Sequence, residues 1–156
     1  MRTEQPVEIR REDYAPPPYA IDDVRLAFDL APGATTVAAR IAFRPWSDGD
    51  GGKPLRLDGE ALKLKRIAID GEALSNDAYN VDDEGLTIHA PPKGAFTLET
   101  EVEIAPEANT RLEGLYLSNG IYCTQCEAEG FRRITYFLDR PDVMAMYEVE
   151  IRADKA

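Results

Sequence analysis

Only two cysteines, one histidine and one tryptophan occur in the 156 residues. Two cysteines cannot staple a chain of this length into a disulfide scaffold, and in a reducing compartment they stay thiols. A single histidine, His89, leaves no second imidazole for a metal pair. No apolar run approaches the ~18–20 residues that a membrane-spanning helix needs. Positive charge is scarce too: Lys plus Arg number 18 against 29 Asp plus Glu, a net charge of −11. A surface that acidic repels phosphate backbones and anionic lipid, so neither nucleic acid nor a membrane is expected as a partner. It suits cationic ligands such as amines, although acidity alone identifies none. The opening residues, MRTEQPVEIRREDY, lack the apolar core of a secretory signal, and a cytoplasmic location is the expectation.

What the chain has is alternation. In 23-DVRLAFDL-30, Val24, Leu26, Phe28 and Leu30 fall on one side and charged residues on the other, the period-two signature of a half-buried strand. The pattern recurs in 36-TVAARIAF-43, 54-PLRL-57, 62-LKLKRIAID-70, 86-LTIHA-90 and 95-AFTLETEVEI-104. In 62–70 it slips a register at Arg66, which predicts a bulge. The run 146-MYEVEIRAD-154 predicts a last strand with Tyr147, Val149 and Ile151 inward. Turn residues punctuate these runs at 31-APGAT-35, 48-DGDGG-52, 70-DG-71, 84-EG-85 and 91-PP-92. The segment through Pro18 is polar and proline-stiffened and reads as an arm. Helix signals are confined to 139-DRPDVMAM-146, where Asp139 suits a cap and Pro141 an early helical position. The expected fold is therefore mostly β, an antiparallel sandwich or strongly bent set of sheets with one short helix near 141–146.

Chemistry concentrates in 122-YCTQCEAEGFRRITYFLDRPD-142, with Cys123, Cys126, Glu127, Glu129, Arg132 and Arg133. Cys123 and Cys126 have a zinc-compatible spacing, but a structural site needs four ligands and no second pair is present. Thioredoxin-like redox use needs a helix after the first sulfur, whereas carboxylates and the strand-like 131-FRRITYF-137 follow. Small packed thiols are the better reading. On an extended strand Glu127 and Glu129 would share a face, yet acid/base work needs a partner that nothing else in the chain supplies. No nucleophile elbow, Walker loop or dinucleotide fingerprint occurs.

The run 109-NTRLEGLYLSNGIYCTQCEAEGFRRITYFLDRPDVMAMYEVEIRADK-155 resembles the N-terminal domain of the bacterial aminopeptidase N family, zinc-dependent gluzincin metallopeptidases. The segments 14-YAPPPYAIDDVRLAFDL-30 and 54-PLRLDGEALKL-64 resemble its opening strands, in order, so the likeness spans essentially the whole chain. The block T-Q-C-E-A-E-G-F-R followed by D-R-P-D is its most specific part.

The resemblance implies a saddle-like β domain that packs on a thermolysin-like catalytic domain, where zinc and the motifs H-E-x-x-H and G-A-M-E-N lie. With one histidine this chain holds no H-E-x-x-H. It is expected to be a single N-terminal β domain over 1–156, truncated at its C-terminal side, with no metal and no catalytic residue of its own and inactive alone. Two substrate contacts carry over: Glu127 to the α-amino group of a peptide with a free N-terminus, and Gln125 to the pocket for its first side chain. Glu129 receives no role. Arg132 is expected to pair with a carboxylate and stiffen the loop, Asp139 and Arg140 to fix the turn into the final strand. The alternative is a noncatalytic β-sandwich binding or scaffold module. A final strand left unpaired would also invite self-association.

Overall fold

Alternating sequence becomes strand wherever one face can be buried. The structure is a computed structural model that describes residues 10–154. The strands are β1 (Tyr19–Asp29), β2 (Thr35–Pro45), β3 (Leu55–Asp58), β4 (Lys63–Ile69), β5 (Glu72–Ala73) and β6 (Tyr79–Asp82). They continue with β7 (Gly85–Ile88), β8 (Phe96–Ile104), β9 (Gly114–Ser118), β10 (Ile121–Gln125) and β11 (Met146–Arg152). Among the described residues helical structure is limited to three single 3₁₀ turns at Arg11–Asp13, Pro106–Ala108 and Phe131–Arg133. The fold is mostly β, as the alternation predicts. Of the proline-rich arm, residues 1–9 lie outside the described residues.

A six-stranded sheet runs β11-β1-β2-β8-β4-β5, a three-stranded sheet β3-β7-β6, and β9 and β10 pair alone. The two larger sheets share one core. Val24, Leu26 and Phe28 of β1, Val37, Ile41 and Phe43 of β2, and Leu98 and Val102 of β8 meet Leu55, Leu57, Leu86 and Ile88. Each fully buried Leu, Ile or Val contributes roughly 1.5–3 kcal/mol. The β4–β8 pairing breaks register between Leu64 and Arg66, the bulge that the slipped alternation predicts. The outer face of that pair carries Lys63 and Lys65 on Glu103, exposed contacts that solvent screens.

Three expectations are corrected. First, no helix forms near 141–146: residues 141–142 make a turn and β11 begins at Met146. Asp139 cannot cap a helix there, because its carboxylate bonds back to Arg132, and Asp142 is taken by Arg140 and Tyr14. Second, 131–137 is no strand. After its 3₁₀ turn it runs irregularly with Ile134 to Leu138 buried, and pairs only as a bridge between Phe137 and Asp58.

Third, β11 lies parallel to β1, placing Tyr147 opposite Val24, Val149 opposite Leu26 and Ile151 opposite Phe28. Those three side chains therefore face the core side of the sheet. They nevertheless remain 50–64% exposed, because among the described residues no second layer reaches that far. Tyr147 alone finds ring partners, Phe131 and Phe137.

Arg56 of β3 reaches across β7 to β6. Its Nη1 and Nη2 each donate to an Asp82 carboxylate oxygen at 2.7 Å. That fork, with the Glu84 N–H, holds the Asp82 carboxyl down to about 2. The unfolded value is ~3.9, so the stability linked to this group is present above ~3.9 and lost as pH falls through about 2. A carboxyl NMR titration is expected to give Asp82 a midpoint near about 2, returning to ~3.9 in Arg56→Met; a wild-type midpoint at the ordinary value refutes the assignment.

Candidate functional site

The hairpin of β9 and β10 sets up the site. Its loop is two residues, Asn119 and Gly120, both with positive φ (49° and 80°), and Ser118 pairs with Ile121 across it. Asn-Gly is the favoured sequence for such a primed turn, because its backbone twist matches the flanking strands. The register that follows sets Gln125, the last residue of β10, opposite Gly114.

From there the chain doubles back. Residues 127–130 form a turn closed by the Gly130 N–H donating to the Cys126 carbonyl at 2.9 Å. Two glycines make the approach feasible. A β-carbon on Gly130 would stand 2.5 Å from the Gln125 carbonyl oxygen, and one on Gly114 (φ 70°) 2.7 Å from the Arg133 β-carbon. Glu127 and Glu129 therefore sit on a turn and do not share the face of an extended strand.

The structure brings the two carried-over residues together. The Glu127 N–H donates to the Gln125 side-chain oxygen at 3.0 Å, which orients the Gln125 amide and leaves its NH₂ group free to donate elsewhere. The Glu127 carboxylate is exposed, and no described residue bonds or pairs with it. Its neighbours differ. Glu129 lies 3.6 Å from the Arg132 guanidinium, Arg133 bonds Glu60 at 3.2 Å, and Arg140 bonds Asp142 at 2.7 Å. Every other charged side chain from Glu127 to Asp142 has a partner.

Arg132 pairs with a carboxylate as expected. Its Nε donates to Asp139 Oδ2 at 2.9 Å, its backbone N–H to the same oxygen at 3.1 Å, and its Nη2 to the Asp139 carbonyl at 3.1 Å. The Asp58 carboxylate lies 4.0 Å away and accepts the Asp139 N–H at 3.1 Å. Burial pulls the guanidinium pKa down, but the Asp139 bond and the Asp58, Asp139 and Glu129 charges outweigh it, so the net shift is upward. Arg140, in contrast, ties the turn to the N-terminal arm through the Ala15 carbonyl. Asp58 was no candidate from sequence, since nothing local marks a strand-end aspartate as the partner of residues about eighty positions later.

Cys123 and Cys126 are free thiols. Cys126 packs against the core, and burial first, then the Asp139 charge, pushes its thiol pKa up, the opposite of an activated sulfur. Among the described residues no group of three or more His, Cys, Asp or Glu could hold a metal ion. His89 is exposed beyond β7. The described residues do not fit a zinc site. A cleft of about 490 Å³ lies between Tyr19, Ile21, Trp46 and Met144 and contains neither Gln125 nor Glu127. The candidate site is an exposed turn with a fixed backbone, suited to be one wall of a larger site.

Residues 23–156 match the family described as Peptidase M1 N-terminal domain. The chain is 54% identical over 154 residues to aminopeptidase N of Caulobacter vibrioides, covering 99% of this chain and 18% of that protein. It is 47% identical over 153 residues to aminopeptidase N of Escherichia coli, covering 98% of this chain and 17% of that protein. The chain thus spans less than a fifth of the length of these relatives. Among solved structures, Legionella pneumophila aminopeptidase A in complex with aspartic acid aligns with TM-score 0.81 and 32% identity, over 90% of this chain and 16% of that one. A Deinococcus radiodurans M1 zinc metallopeptidase bound to a Tyr-Ser-Ala substrate has the same fold at TM-score 0.71, with 13% identity over 86% of this chain and 32% of that one. The chain belongs to the M1 peptidase family, as an N-terminal domain of the aminopeptidase N type.

Proposed function

We propose that this domain recognises the free N-terminus of a peptide for a zinc aminopeptidase whose metal and catalytic residues lie on a partner domain outside this chain. The observation that carries the reading is the unpaired Glu127 carboxylate on an otherwise fully paired segment. A carboxylate with no internal partner is available to an ammonium group, and such a charge-assisted contact rejects blocked or internal peptide segments. Held at a fixed distance from a catalytic centre, it places only the first peptide bond there. Glu127 then acts as a ruler and takes no proton. Gln125, its amide oxygen held by the Glu127 N–H, lines the pocket for the first side chain. The domain alone is inactive in this reading, and cytoplasmic.

Replacing Glu127 with Ala in the full-length protein is expected to lower kcat/KM for an amino-acid anilide by roughly 2–4 kcal/mol of transition-state binding. A value within about twofold of wild type refutes the ruler.

We also propose self-association of the isolated domain. The outer edge of β11 has no strand partner among the described residues, and its apolar side chains are exposed. Because each copy carries −11, salt should promote the contact. Light scattering at high concentration is expected to show a dimer whose population grows with salt; a strict monomer at every salt concentration refutes it.

A further inference from the structure

The geometry points to Arg132 as the positioning residue for Glu127: it fixes the far end of the turn and occupies the competing carboxylates beside it, so that Glu127 is the carboxylate of this segment left to meet the ammonium. This rests on the reading of Glu127 as the amine anchor and deepens it.

Among the described residues none hydrogen-bonds or ion-pairs with the Glu127 carboxylate, so its place in space is set by the two ends of its turn. The near end is held by β10 and by the Gln125 oxygen on the Glu127 N–H. The far end is held by Arg132. Three of its donors converge on Asp139, and its carbonyl accepts the Glu60 N–H at 3.0 Å. Asp139 in turn is bonded to Asp58 at the end of β3. Arg132 thereby joins the turn, the following loop and the three-stranded sheet. With side-chain exposures of 17% for Arg132 and 9% for Asp139, the joint is largely out of water and less softened by solvent than a surface pair.

The second contribution is electrostatic. Glu129 lies two residues from Glu127 and carries the same carboxylate group, a chemically equivalent acceptor for an ammonium. The Arg132 guanidinium faces Glu129, Asp139 and Asp58, which leaves Glu127 as the unpaired carboxylate of the segment. Without that cation an amine could settle on Glu129 instead, displaced from the ruler position. Lysine would keep the charge but not the planar fork that makes the Asp139 contacts.

The test uses the full-length protein and two inhibitors that both bind zinc. Leucine hydroxamate carries a free amine; acetohydroxamate carries none. Variants are Glu127→Gln, Arg132→Lys and the two combined, each checked for an unchanged fold by thermal denaturation. Leucine hydroxamate is expected to bind roughly 10²-fold more weakly to either single variant, the scale of a small misplacement. The double variant should be no worse than Glu127→Gln alone, because residues acting as a unit are non-additive. Acetohydroxamate affinity should stay within about twofold throughout.

Equal loss of both inhibitors in Arg132→Lys, or additive losses in the double variant, would overturn the positioning role while leaving Glu127 as the anchor. An unchanged leucine hydroxamate affinity in Glu127→Gln would instead overturn the anchor itself. Should Arg132→Lys fail to fold, Asp139→Asn breaks the same joint from the other side and must meet the same criteria.

Discussion

The Arg132–Asp139 ion pair is the contact on which the site end of this domain depends. It joins residues seven apart on a loop and, through Asp58, a strand from the other half of the chain. A largely buried pair of this kind adds little net stability over an apolar substitute, yet removing one partner strands the other charge at a cost of roughly 3–5 kcal/mol. Its value is geometric. An irregular segment from Phe131 to Leu138, with five consecutive buried residues, has almost no backbone ladder to define it. The guanidinium fork supplies the definition that strand pairing supplies elsewhere.

Rigid scaffold and free charge are thus divided among neighbouring residues. Glycines 114 and 130 let the β9–β10 hairpin and the turn close on each other, and the Phe131–Phe137–Tyr147 rings fill the space behind. Cys126 adds apolar bulk at the same place, and burial pushes its thiol pKa up. On this support the segment satisfies every charge but one. A segment that pairs its other charges and leaves Glu127 open has an arrangement suited to a cationic ligand from outside.

Much of the fold is legible without coordinates because strand alternation is a local code. Val24, Leu26 and Phe28, or Leu98, Val102 and Ile104, announce their buried face through spacing alone, and the bulge at Arg66 shows as a slip in that spacing. Asn119–Gly120 is as plain a signal, a hairpin written in two residues. The candidate residues Gln125 and Glu127 came from a resemblance and not from spacing. Nothing in the pattern itself separates Glu127 from Glu129.

By itself the sequence determined the long strands, their inward faces, the acidic surface and the lack of any two-histidine metal motif, since each depends on composition or on near neighbours. Tertiary structure alone decided the rest. It turned 131–137 from an apparent strand into a buried loop, withdrew Asp139 from a helix cap to hold Arg132, and laid β11 parallel to β1 with its apolar face uncovered. It also chose which glutamate stays free. Those outcomes depend on partners such as Asp58 and Glu60, over seventy residues away in sequence, and a charge is paired or free only once the fold has brought its neighbours into reach.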